Sequence, residues 1–140
     1  MVKSWATSYT LGSKHKPFKW RIDNKSIEIY RIMKSSRKLQ TVSLSNLDRI
    51  HSYVAKNDWT HLANNVKKIP EGSEREGIGK FMYDELKLSI SDAQLASHIS
   101  ALFCQAGIWE SNGTVKGMMF RKKLKDWESA LNGLYLHIIK

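Results

Sequence analysis

A change of hydrophobic period limits what this chain can become. Between Phe18 and Ile29 apolar side chains fall on every second residue (Phe18, Trp20, Ile22, then Ile27 and Ile29), with Lys19, Arg21 and Glu28 between them. From Leu47 onward they recur three or four residues apart, as in Leu47, Ile50 and Val54. The first pattern turns one face of a pleated strand to a core, and the second turns one stripe of a helix to it. Strands that precede helices, and do not alternate with them, predict an α+β chain.

The boundaries follow from turn and capping chemistry. Asp23-Asn24 joins two strands as a hairpin, the cluster Ser35-Ser36-Arg37-Lys38 makes a second turn, and Leu39 to Val42 forms a short third strand. An N-terminal three-stranded antiparallel meander results, preceded by residues 1–17, which are rich in Ser, Thr and Lys, end in Pro17 and read as an extended arm. Ser45, with Asp48 three residues on, caps a helix from Asn46 to Lys56, and Trp59 to Ile69 is a second, weaker helix. Pro70-Glu71-Gly72-Ser73 then breaks the chain. The expected division is an arm over 1–17, a basic meander-plus-helix subdomain over 18–70, and a second subdomain over 71–140. In that second part a helix runs from Glu76 to Leu86, and another, capped by Ser91 or Asp92, ends at Gly107. Ile108 to Ser111 and Thr114 to Phe120 flank Asn112-Gly113 as a hairpin, and Leu124, Trp127, Leu131 and Leu134 mark a closing C-terminal helix.

Charge narrows the choice of partner. The 140 residues carry 23 Lys and Arg against 13 Asp and Glu, a net +10. Residues 1–70 hold fourteen of those cations and four of the acids, whereas residues 71–140 hold nine of each. All the excess therefore lies in the N-terminal half. Cations near phosphates release condensed counterions, so a polyanion is the expected partner. Basic and aromatic residues interleave there: Lys14, His15, Lys16, Phe18, Lys19, Trp20, Arg21, Tyr30 and Arg31. By alternation Phe18 and Trp20 face the core, so Lys19, Arg21, Lys34, Arg37 and Lys38 are the candidate phosphate contacts.

The order helix, short turn, helix ending in Ala106-Gly107, then a hairpin resembles the helix-turn-helix and wing of the winged-helix superfamily over residues 76–123. Gln105-Ala106-Gly107-Ile108-Trp109 is similar to the junction at which such a recognition helix passes into its wing. The resemblance implies a DNA-binding protein, or a DNA-reading domain of a larger one, in which one helix enters the major groove of duplex DNA and the hairpin follows the backbone. It implies base readout by Gln94, Ser97 and His98, and backbone contacts from Lys116 on the wing and from Arg121, Lys122 and Lys123. Residues 91–107 contain no Lys or Arg. A second reading therefore stays open, in which the helix 92–106 is a core element or a protein-interaction face. A homodimer is compatible with either reading.

Catalytic patterns are weak. Gly72 to Lys80 has the outline of a phosphate loop, but no Ser or Thr follows Lys80, and Glu74 and Glu76 would repel phosphate. Asp84-Glu85-Leu86-Lys87 contains the Glu-x-Lys of some metal-dependent nucleases and keeps a nuclease, or a nuclease accessory domain, as a further alternative. The five histidines and the lone Cys104 have no metal-ligand spacing, so neither metal nor cofactor is expected. No apolar run approaches the roughly 20 residues of a membrane span and no leader is visible. A cytoplasmic protein, nucleoid-associated if bacterial, is the expectation.

Overall fold

Strand formation follows the alternation but starts before Pro17. In the computed structural model, which describes residues 4–32 and 36–140, Ala6–Tyr9 (β1) pairs antiparallel with Pro17–Asp23 (β2). Ser26–Ile32 (β3) and Arg37–Ser43 (β4) continue the sheet in the order β1-β2-β3-β4. The expected arm is thus an edge strand. Ala6 lies opposite Trp20 and Ser8 opposite Phe18, so two small side chains make room for two large rings. Neither is apolar enough to signal a strand in the sequence. Asn24, with φ of 57°, takes the left-handed position in the β2–β3 turn, where an Asn side chain tolerates it.

β4 passes directly into a helix, Leu44–Lys56 (α1), whose cap is Ser43 and not Ser45. The Ser43 hydroxyl accepts from the Asn46 amide at 3.0 Å. The expected helix over Trp59 to Ile69 does not form. Thr60–His61 (β5) is extended there, Ala63 has φ of 48°, and only the turn Lys68–Glu71 (α2) is helical. Asn65 Oδ1 accepts from the amides of Lys67 and Lys68, both at 2.9 Å, a local bond that competes with helix propagation. Tertiary contact completes the override. Ile78–Asp84 (α3) presses its Gly77 and Gly79 edge onto residues 61–64, with the Gly79 amide donating to Leu62 O at 2.9 Å.

The helix expected from Ser91 to Ala106 is two pieces, Ile90–Ala93 (α4), capped by Ser89, and Ala96–Gln105 (α5). Trp109–Ser111 (β6) and Met119–Lys122 (β7) form the hairpin, and Trp127–Ile139 (α6) closes the chain, with Asp126 accepting from the Ser129 amide. β5 adds to the hairpin in the order β5-β7-β6. The loop between β6 and β7 is longer than a two-residue turn. Asn112 Oδ1 accepts from the Met119 amide at 3.1 Å and holds its base, while Gly113 and Gly117 take φ of 78° and 72°.

One core runs through both halves. Phe18, Trp20, Ile27 and Ile29 of the four-stranded sheet join Leu95, Ile99, Phe103, Trp109 and Phe120. Phe103 lies 4.7 Å from Trp109 and 5.7 Å from Trp127, ring centre to ring centre. The break at Pro70 to Ser73 is local, since β5 before it pairs with β7 after it. Polar tips of buried aromatics find partners: Trp127 Nε1 donates to Asp48 at 2.9 Å, and Trp109 Nε1 to His51 Nδ1 at 3.1 Å. Among the described residues no helix is long and apolar enough to cross a membrane.

Candidate nucleic-acid interface

α5 presents no solvent stripe. His98 is 9% exposed and Ala101 2%, Gln94 and Ser97 are half-buried, and Gln105 stays exposed while accepting from Ser8 Oγ at 2.8 Å. Of the expected base readers, His98 is buried against Phe18 of the N-terminal sheet, while Gln94 and Ser97 stay half-buried and Ser97 lines the cleft described below. Ala96, Ser97, Ser100 and Ala101 are short enough for a second layer to sit on the helix. Phe18 meets His98 edge-on, and Trp20 Nε1 donates to Ser8 Oγ at 3.0 Å, which donates on to Gln105.

The sheet's two faces separate the N-terminal candidates. Lys19, Arg21 and Arg37 lie on the outer face, as the pairing of Lys19 with Tyr30 and of Arg21 with Glu28 requires. Lys19 Nζ donates to Thr7 Oγ1 at 2.8 Å. Arg21 is held by Glu28 at 2.9 Å and lies over the Trp5 ring at 4.2 Å. Arg37 is exposed. Lys38 points to the inner side, where its ammonium donates to the Ser91 hydroxyl, so Arg37 and Lys38 are not one contact patch. Lys34 lies outside the described residues. At the other end Lys116 is exposed in the β6–β7 loop, Lys122 and Lys123 are exposed, and Arg121 pairs with Glu110 and lies 4.5 Å over the Trp59 ring.

Between the β1–β2 loop and the β6–β7 hairpin lies a cleft of about 850 Å³. Lys14 and Lys16 line one wall, Val115 and Met118 the other, and Ser97, His98 and Phe120 the floor. Arg31 also lines it. Opposite Phe18 on the inner face, Arg31 donates to Gln40 Oε1 at 3.1 Å, and burial lowers its pKa from the ordinary value. Gln40, 5% exposed, is locked in turn by donating to Ser91 O at 3.1 Å and Asp92 Oδ1 at 2.9 Å. No Asp or Glu lines the cleft among the described residues. A concavity with three cations and no carboxylate holds a positive potential that low-dielectric walls focus.

The floor is uncharged. Burial first, then the positive charges of Arg31 and Lys16, depress the His98 pKa to about 4, so the ring is neutral near pH 7. Its Nδ1 lies 3.3 Å from Ser97 Oγ, and that hydroxyl donates to Gln94 O at 3.2 Å. Asn64, also lining the cleft, points its amide nitrogen at the same carbonyl at 3.5 Å.

Lys14, Lys16 and Arg31 were visible in the sequence as part of the basic and aromatic run. Arg31 carries a further signal, since alternation from Ile27 and Ile29 puts it on the inner face, where a cation needs a purpose. Asn64 gave none. The Gly72 to Lys80 segment is a packing device: a Cβ on Gly77 would lie 2.4 Å from His61 O, and Lys80 pairs with Glu76 at 3.0 Å. Asp84 and Glu85 are exposed at the end of α3, and among the described residues no three His, Cys, Asp or Glu cluster as a metal site. Burial and Glu110 push the Cys104 thiol up to about 12. Compared with protein families, characterised proteins and solved structures, the chain matches none.

Proposed function

We propose that this chain is a DNA-binding protein that grips the phosphate backbone between its β1–β2 loop and its β6–β7 hairpin, and does not lay α5 in the major groove. The observation that carries the reading is the cleft itself, with Lys14, Lys16 and Arg31 converging and no carboxylate opposing them. The succession of α3, α5 and hairpin, with β5 closing the small sheet, supports a winged-helix arrangement in which the hairpin is the wing. Lys116, Lys122 and Lys123 then extend the cationic track along the backbone. With His98 and Ala101 of α5 buried, such a module binds by phosphate contact and shape.

The test is fluorescence anisotropy on random duplex DNA between 50 and 200 mM salt. Each phosphate contact contributes about 0.9 to the slope of log affinity against log salt, so a slope of about 3 or more is expected. Lys14→Ala and Lys16→Ala should each lower it by about one unit. A flat dependence removes nucleic acid as the partner. The outer face of the four-stranded sheet, where Tyr9, Ile32 and Leu39 are each about half exposed, would then become the leading surface as a protein-interaction face.

A further inference from the structure

We infer that the cleft receives one unpaired nucleotide, its phosphate among Lys14, Lys16 and Arg31 and an amine-bearing base on a floor of hydrogen-bond acceptors from His98 and Asn64. The inference rests on the reading of this chain as a nucleic-acid binder and names what the cleft takes. Size is the first argument. About 850 Å³ is within the range of pockets that enclose small molecules, roughly 300–1,000 Å³, and has room for a single nucleotide. Lining chemistry is the second. Cations stand at the β1–β2 wall, while Leu62, Val115, Met118 and Phe120 supply apolar surface for the face of a base.

The third argument is the direction of the floor's hydrogen bonds. Ser97 Oγ lies 3.2 Å from Gln94 O and 3.3 Å from His98 Nδ1, and with its proton on the Gln94 carbonyl the imidazole carries its own proton on Nδ1 and donates to Ser97 Oγ. Nε2 of the neutral ring is then an acceptor, and no protein group among the described residues donates to it. The carbonyl of Gln94 also fixes the Asn64 amide, since only its NH2 can face another acceptor. Asn64 Oδ1 is left as a second acceptor without a protein donor among the described residues. Two acceptors select a base that brings donors. Adenine, cytosine and guanine carry an exocyclic amine with two protons, one for each acceptor, whereas an unpaired thymine offers only its single N3–H.

The experiment compares one duplex with a blunt end, a three-nucleotide adenine overhang and a three-nucleotide thymine overhang, together with free deoxyadenosine monophosphate, at one salt concentration. The adenine overhang should bind at least tenfold more tightly than the blunt duplex and about threefold or more over thymine. Val115→Trp, at an exposed position on the cleft wall, should return the overhang-to-blunt ratio to one, and Asn64→Leu should erase the preference for adenine. Blunt and tailed duplexes binding equally, with a normal salt slope, overturn this inference and leave the DNA-binding reading standing. Equal binding of adenine and thymine overhangs overturns the acceptor floor. Tight binding of free deoxyadenosine monophosphate, matching the tailed duplex, makes the ligand a free nucleotide and overturns the claim for a strand. No binding of any DNA overturns both readings.

Discussion

The ring of Phe18 stands edge-on to the imidazole of His98, with centres 4.8 Å apart and planes at 76°. Through this contact the second strand reaches the first turn of α5, and a histidine that helical spacing alone would leave in solvent becomes part of a wall. The cover has an energetic signature, because a buried imidazole resists protonation.

His98 titrates at about 4 in the folded chain against an ordinary 6.5. The unfolded chain therefore binds more protons between those values, and stability present above pH 6.5 is lost as pH falls toward 4. Across the whole window the loss is about 3 kcal/mol. His51, also lowered by burial and by Lys122, adds in the same direction. Thermal midpoints measured from pH 7 to pH 4.5 should fall, and the fall should be visibly smaller in His98→Gln.

Gln40 ties the sheet to the start of α4 by accepting from Arg31 and donating to Ser91 and Asp92. Gln40→Leu keeps the bulk but leaves a half-buried guanidinium without that acceptor. A loss of about 1–3 kcal/mol is expected in urea unfolding. An unchanged midpoint would mean that these bonds contribute nothing net.

Two glycines should respond in opposite senses. At Gly79 a Cβ would lie 2.4 Å from Ala63 O and 2.7 Å from Asn64 Cα, both backbone atoms that cannot swing aside. Gly79→Ala should therefore cost about 2–3 kcal/mol. Gly133, inside α6 with nothing within 4 Å of its Cβ position, should gain about 0.5–1 kcal/mol on change to Ala, by helix propensity alone. Denaturation curves of both variants against the parent chain decide the matter.

Cys104, with its thiol near 12, is thiolate in roughly one molecule in ten thousand at pH 8. Its reaction with a disulfide reagent in the native protein should be at least a hundredfold slower than that of free cysteine, and should recover on unfolding. Fast native labelling would show that the α5 end opens.

The strands β2 to β4, α1, α3, the hairpin and α6 were legible because their apolar residues keep one period over at least two turns or pleats. β1 was not, since Ala6 and Ser8 define its inner face by being small. The stretch after Trp59 misled in the other direction. Leu62, Val66 and Ile69 keep helical spacing, yet pairing of Thr60–His61 with β7 and the close approach of Gly77 and Gly79 prevail. The site is half legible: its cations stand in the sequence, but the choice among them depends on Phe18 burying His98 in the cleft floor. Ile99 and Leu102 announce the core face of α5. Nothing polar or small announces the burial of His98, because Ser97 and Ala101 suit a surface as well as a tight interface.

The cover of α5 by the sheet also sets an order of events during synthesis. The sheet is complete once Ser43 has emerged, whereas α5 ends 62 residues later at Gln105. At about 5–20 residues per second the inner rings of Phe18 and Trp20 wait on the order of several seconds for their partner. Until α5 docks, the emerging chain therefore leaves those two inner rings without the cover they have in the folded protein.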